Sequence, residues 1–408
     1  MNTKIRLTLM NFLQYAVWGA WLISLGAYLG NTLKFDGLQI GSFFATMGIA
    51  SLFMPAVMGI IADRWIPAQR LLGLCHLFAA GFITLAATRT DYNSLYTLVL
   101  LSVMFYMPTI ALSNSVAYNA LEKAGLDTVT HFPPIRVWGT VGFICAMWVV
   151  DLGKMGLSAT QLYFSATLGL ILGLYSFTLP NCPINRSGGG KSIVDLLGLR
   201  AFALFKQRKM AIFFIFSMLL GMSLQITNAF ADGYIKSFGD TGIHGAKYLG
   251  TFGVEHSTIL ISLSQISETL CILLIPFFLK RFGIKRVMLI AMFAWVLRFA
   301  LLGAGNPGPG VWMFILSMIV YGVAFDFFNI SGSLFVEKET SAAIRSSAQG
   351  VFMIMTNGLG ALIGSYLAGW VVNHYGWPLS WYLFAGFSLV VAIVFAVIFK
   401  YKPDPNRI

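Results

Sequence analysis

Twelve apolar runs, each long enough to cross a bilayer, succeed one another along this 408-residue chain and leave few folds open to it. They lie at about residues 8 to 30, 39 to 61, 71 to 88, 95 to 117, 135 to 153, 161 to 180, 210 to 231, 256 to 279, 287 to 304, 311 to 335, 347 to 372 and 380 to 399. A spanning helix needs roughly 20 such residues, because its backbone must satisfy its own hydrogen bonds where no water reaches. Strand-type alternation is absent, which argues against a barrel. With 58% hydrophobic and only 10% charged residues, an ordinary soluble globule is excluded. The sequence predicts an all-α membrane protein with twelve transmembrane helices.

The basic residues orient it. With the N-terminus placed in the cytoplasm, 20 of the 27 Lys and Arg fall on the cytoplasmic side and 5 (Lys34, Arg89, Lys154, Lys236, Lys247) on the other, leaving Arg136 and Arg298 in or near helices. By the positive-inside rule both termini are expected to be cytoplasmic, in a multi-pass protein of the cell (inner) membrane. The net charge of +12 is thus a topology signal that fits attraction to anionic lipid and gives no argument for nucleic acid. Met1 to Ile5 runs straight into a segment too long for a signal core, so no cleavage is expected. Cys75, Cys145, Cys182 and Cys271 are scattered and read as structural thiols.

The chain also repeats itself. Gly59 to Trp65, GIIADRW, and Pro276 to Arg286, PFFLKRFGIKR, are tight basic turns after the second and eighth segments, with Asp63–Arg64 aligning on Lys280–Arg281. Two six-helix repeats of a transporter are the expectation: an N-terminal bundle at 1–180, a cytoplasmic linker with an interfacial helix at 181–209, and a C-terminal bundle at 210–408. The linker breaks the hydropathy with Pro180, Pro183 and Gly188 to Gly190 before SIVDLLGLRAFALFKQRK. Pro133 and Pro134 are expected at the start of the fifth helix.

Polar groups inside the apolar runs mark the candidate site. Glu268, halfway along the eighth segment, and Asp326, in YGVAFDFFNISGSLFVEKE, are the two carboxylates placed at the midplane. Such groups are costly in lipid and mark ion or substrate pathways. Around them stand Gln225 and Asn228 of segment seven, Gln265 of segment eight, Tyr321 and Phe325 of segment ten, and Arg136, Thr140 and Phe143 on one face of segment five. Gln14, Trp18 and Trp21 share a face of segment one, as a cavity wall or a packing seam. Burial disfavours an ionised carboxylate in general and a nearby arginine favours it, so a carboxylate poised between them can load and release a proton. For Glu268 and Asp326 the competing reading is a fixed ion pair with Arg136 or Arg298.

Amides supply donor and acceptor together and aromatic rings supply stacking faces, which suits a flat, hydroxylated, neutral solute. A sugar fits almost as well, and a proton-coupled sugar or oligosaccharide symporter is the alternative. His76, His131, His244, His256 and His374 are dispersed and make no H-E-x-x-H pattern, so an enzyme is not expected. Neither a metal nor a cofactor is expected beyond the proton gradient, and no obligate protein partner is evident.

The blocks LKFDG (33–37), FPPIR (132–136), AIFFIFSMLLG (211–221), LQITN (224–228), SQISETL (264–270), FDFFNISGS (325–333) and FVEKE (335–339) resemble the nucleoside:proton symporters of the major facilitator superfamily, over about residues 10 to 400. The superfamily's general turn motif is weak here, since Asp63–Arg64 is followed by Trp65–Ile66. The resemblance implies two pseudo-symmetric six-helix bundles, alternating access, and import of purine and/or pyrimidine nucleosides with protons. It also implies nucleoside contacts at Arg136, Thr140, Phe143, Gln225, Asn228, Gln265, Glu268, Tyr321, Phe325 and Asp326, and it places Arg136, which hydropathy alone would let snorkel to the interface, in the cavity; proton coupling is expected at the two midplane carboxylates, Glu268 and Asp326, from their chemistry. The loop from Asp232 to Glu255 matches the family least.

Overall fold

A computed structural model describes residues 2–184, 199–341 and 344–401. The described residues fold into helices separated by short turns. We number the membrane helices α1 (Thr3–Gly19, continued by Leu25–Ala27 and a π-helical turn Tyr28–Thr32), α2 (Gly37–Arg64), α3 (Ala68–Ala86), α4 (Tyr92–Lys123), α5 (Thr128–Leu152), α6 (Thr160–Ser176), α7 (Arg208–Ser237), α8 and α9 (together Ser257–Ala304), α10 (Val311–Glu339), α11 (Arg345–Met353, a π-helical turn Ile354–Gly360, and Ala361–Tyr375) and α12 (Leu379–Ile398). All twelve apolar runs lie on them.

The 48-residue stretch Ser257–Ala304 becomes two helices at one residue, Gly283, whose φ of 73° lies in the left-handed region that a side chain disfavours. The basic turn read from the sequence is therefore as tight as a turn can be. At α2, Asp36 accepts from the Gln39 backbone N–H (2.8 Å) while the Gln39 side chain accepts from Asp36 N–H (3.1 Å), a reciprocal cap that fixes where the helix begins.

Three expectations need correction. The first apolar run is not one helix: it loosens after Gly19 and resumes at Leu25. The Pro133–Pro134 pair does not open α5, which starts five residues earlier at Thr128, behind Asp127, whose carboxylate accepts from Thr130 N–H (2.9 Å). The carbonyls those prolines cannot pair lie in the first turn, where both rings are exposed and water is within reach. In the linker, Leu199–Lys206 is a 3-10 helix, and the remainder of the interfacial helix expected there, residues 185–198, lies outside the described residues.

The chain separates into two compact units, Met1–Ser192 and Ile193–Ile408. In the first, α1 packs on α5 and α6, α3 on α4 and α6, and α2 on α4. In the second, α7 packs on α11 and α12, and the α8–α9 pair on α10 and α12. The shared layout extends to the closest crossings. A Cβ on Gly142 of α5 would stand 2.1 Å from the Phe12 carbonyl of α1, and one on Gly221 of α7 would stand 2.2 Å from the Thr356 carbonyl of α11. In lipid, where apolar side chains gain little by leaving their surroundings, such backbone approach supplies the packing that holds helices together.

Candidate functional site

Each unit carries its own cluster of buried polar and aromatic side chains. In the first, α5 presents Arg136 and Thr140, both half-buried, and Phe143, which is buried. The Arg136 guanidinium lies 3.9 Å over the Tyr15 ring, and Gly139 leaves the room for it: a Cβ there would meet Tyr15 at 2.6 Å and Arg136 Nη1 at 2.9 Å. Trp18 packs between Phe143 (6.3 Å, edge-on) and Tyr106 (5.8 Å), and its Nε1 is buried without a partner.

Behind this wall runs a buried network that dispersed histidines did not suggest. Thr109 Oγ1 donates to the Tyr106 carbonyl, so its lone pairs face Gln14 Nε2 (2.7 Å). The other end of the Gln14 amide, Oε1, must then accept from His76 Nε2–H (2.8 Å), and Tyr106 OH donates to the Gln14 carbonyl (2.8 Å). His76, Gln14 and Thr109 have no exposed surface, and the ring is thereby fixed as the Nε2–H tautomer with Nδ1 unpartnered. Gln14 thus serves a brace joining α1, α3 and α4, the packing alternative weighed for its face. The only trace in the sequence is a histidine inside an apolar run.

In the second unit α10 holds the densest part. Tyr321 and Phe325, one turn apart, stack face to face at 5.6 Å and 5°. Asp326 follows at 5% exposed, with Oδ2 buried and without a hydrogen-bond partner. Glu268 on α8, half-buried, stands near both Asp326 and Tyr321. Gln225 on α7 is buried with Oε1 unpartnered, while Asn228 and Gln265 are half-buried.

Arg298 of α9 is placed differently from an ion-pair partner. Its Nη1 donates to the Ser317 carbonyl (2.7 Å) and to Ser264 Oγ (3.4 Å), and its guanidinium lies 4.7 Å from the centre of the Tyr321 ring. The cation therefore backs the ring pair. Trp295, one turn earlier, meets Tyr321 edge-on at 6.1 Å. Neither relation was legible in the sequence, because each joins two helices whose register it does not state. Of the residues expected to act together, the structure thus brings Tyr321, Phe325, Asp326 and Glu268 into one neighbourhood of the second unit, and Arg136 and Phe143 onto one aromatic wall of the first.

Stacking faces with unpartnered amide and carboxylate oxygens can hold a flat solute by its faces and hydroxyls, and a buried carboxylate oxygen without a donor can take a proton. Among the described residues no group of three or more His, Cys, Asp or Glu is arranged to hold a metal ion.

Comparison with known proteins agrees with this chemistry. A family model described as "Nucleoside H+ symporter" matches residues 1–404. Nucleoside permease NupG of Escherichia coli (strain K12) is 51% identical, with 98% of this chain and 97% of the relative covered. Xanthosine permease of the same strain is 49% identical over 100% of this chain and 98% of its own length. A crystal structure of the nucleoside transporter NupG superimposes with a TM-score of 0.91 at 51% identity, covering 98% of this chain and all of that one.

Proposed function

Because the chain belongs to the nucleoside H+ symporter family, we propose that the two clusters described above are its substrate and proton machinery. The protein is a transporter, not an enzyme: it carries nucleosides across the membrane together with protons, by alternating access in the major facilitator fold. The sugar-symporter alternative is set aside, since the full-length relatives near 50% identity are nucleoside permeases.

The observation that carries the assignment of the site is Asp326. Burying an ionised carboxylate oxygen without a donor costs several kcal/mol, on the order of what a charge costs at a bilayer centre. A proton on Asp326, or a hydroxyl of the substrate, removes that cost. Glu268 of α8 brings a second carboxylate into the same neighbourhood. Tyr321 and Phe325 supply the stacking face, stiffened by Arg298 behind it, and Gln225, Asn228 and Gln265 supply donors and acceptors for ribose and base. In the N-terminal unit Arg136, Thr140 and Phe143 contribute a corresponding polar and aromatic wall.

Coupling follows from the charge. A proton taken up with the nucleoside neutralises the carboxylate pair, which makes closing a dry cavity over it affordable; release to the other side restores the charge. In proteoliposomes with acid outside and alkaline inside, labelled uridine should accumulate above its external concentration, and a protonophore should abolish the accumulation. Uptake that ignores the imposed gradient, or that excess maltose or sucrose inhibits while nucleosides do not, contradicts the reading.

A further inference from the structure

We infer that a cavity inside the C-terminal unit, walled by Phe325 and Asn357, is the base-reading end of the substrate site, and that Asn329 and Asn357 set which nucleobase is accepted. This rests on the proposed transport function and adds two specificity residues and a place for the base.

The cavity is an open-sided cleft between α7, α9, α10 and α11. Three aromatic side chains, Trp295, Phe325 and Phe328, line it, together with Asn329, Thr356 and Asn357. Phe325 belongs to this wall and to the stacked pair with Tyr321, so the cavity shares a wall with the cluster that holds Asp326. Aromatic faces bind any base by stacking and do not distinguish one from another. Distinction needs hydrogen bonds to the base edge, and a site built for those rejects a base whose edge leaves them unmade.

The two asparagines have that capacity left over. Asn329 spends one amide hydrogen on the Phe325 carbonyl (2.9 Å). Asn357 Nδ2 meets the Met353 thioether sulfur at 3.8 Å, a weak acceptor. Each amide therefore keeps its carbonyl oxygen and an N–H for a ligand. The Thr356 hydroxyl is turned back on its own helix, donating to the Phe352 carbonyl (2.9 Å), so it leaves the reading to the amides.

Asn357 also stands on a backbone that close packing holds in place. It sits on the π-helical turn Ile354–Gly360, a rare widening of the helix that recurs at functional sites. That turn is pinned against α7 by two glycines: a Cβ on Gly221 would stand 2.2 Å from the Thr356 carbonyl, and one on Gly360 would stand 2.6 Å from the Met218 carbonyl. Backbone contact fixes the Cα from which the amide projects, and a site built on a rigid element is what selectivity requires.

The test is transport by the full-length protein carrying Asn329→Leu or Asn357→Leu, near-isosteric changes that remove the hydrogen bonds. KM and Vmax for labelled uridine and adenosine are measured in proteoliposomes under an inward proton gradient. The expected result is at least a tenfold change in the uridine-to-adenosine ratio of Vmax/KM. For a variant that folds but no longer transports, the same tenfold change is expected in the ratio of dissociation constants in detergent. Asn329→Ser or Asn357→Ser, which keeps a smaller donor and acceptor, replaces the leucine variant at the same position if that one does not fold, and it should shift the ratio in the same direction. A ratio within twofold of the unsubstituted protein for both positions overturns the base-reading role. Absence of gradient-driven uridine uptake by the unsubstituted protein instead contradicts the transport reading.

Discussion

Arg298 illustrates what a buried side chain contributes beyond its charge. It places a guanidinium 4.7 Å behind Tyr321 and anchors it on the Ser317 carbonyl. A desolvated cation–π contact is worth about 1–2 kcal/mol. Arg298→Met should therefore raise KM for nucleoside by up to roughly thirtyfold while substrate exchange persists, and an unchanged KM contradicts the backing role. The His76 network gives a second residue-level prediction. His76→Phe leaves Gln14 Oε1 buried without a donor, at a cost of about 1–3 kcal/mol. Combining it with Gln14→Leu should recover part of the lost melting temperature in detergent; strictly additive losses contradict the pairing. At this scale the sequence revealed what lies along one helix. Tyr321 and Phe325 were legible as partners because they are four residues apart, and Asp326 and Glu268 were conspicuous as charges in apolar surroundings. Arg298 on Tyr321, and His76 on Gln14, join different helices, and nothing in a single chain states which turns of two helices meet.

Among the elements, the α1–α5 and α7–α11 crossings carry the sharpest expectations. Gly142→Ala and Gly221→Ala each drive a methyl group into a backbone carbonyl, at 2.1 Å and 2.2 Å, which the neighbouring helix can relieve only by moving away. Overpacking of this kind costs about 1–3 kcal/mol, so both variants should melt earlier in detergent. Gly81→Ala, on a lipid-facing part of α3 with nothing within 4 Å of the new atom, should match or slightly exceed the parent. Equal melting of all three contradicts the close crossings. Hydropathy located the helices but not their irregularities. The loosening after Gly19 and the π-helical turn of α11 occur within continuous apolar runs, and an apolar run looks alike whichever carbonyl each N–H selects. The position of Pro133–Pro134 was misjudged for a related reason: the cap that starts α5 is a single polar residue, Asp127, beyond the apolar run.

For the whole molecule, twelve spans and a twofold layout were readable because each sums many residues, so that no single one decides it. The placement of both termini in the cytoplasm rests on the basic residues alone. Reporter fusions at residues 2 and 401 should be active only as cytoplasmic reporters, and a periplasmic signal from either contradicts that orientation. The central claim is that the carboxylates of α8 and α10 convert a proton gradient into nucleoside accumulation. The direct measurement is labelled uridine uptake into proteoliposomes, with an imposed pH gradient and separately as counterflow without one, for the parent, Glu268→Gln and Asp326→Asn. The account predicts that the parent accumulates uridine, while both variants lose gradient-driven accumulation and at least one retains counterflow. Undiminished uphill uptake in both variants would contradict it.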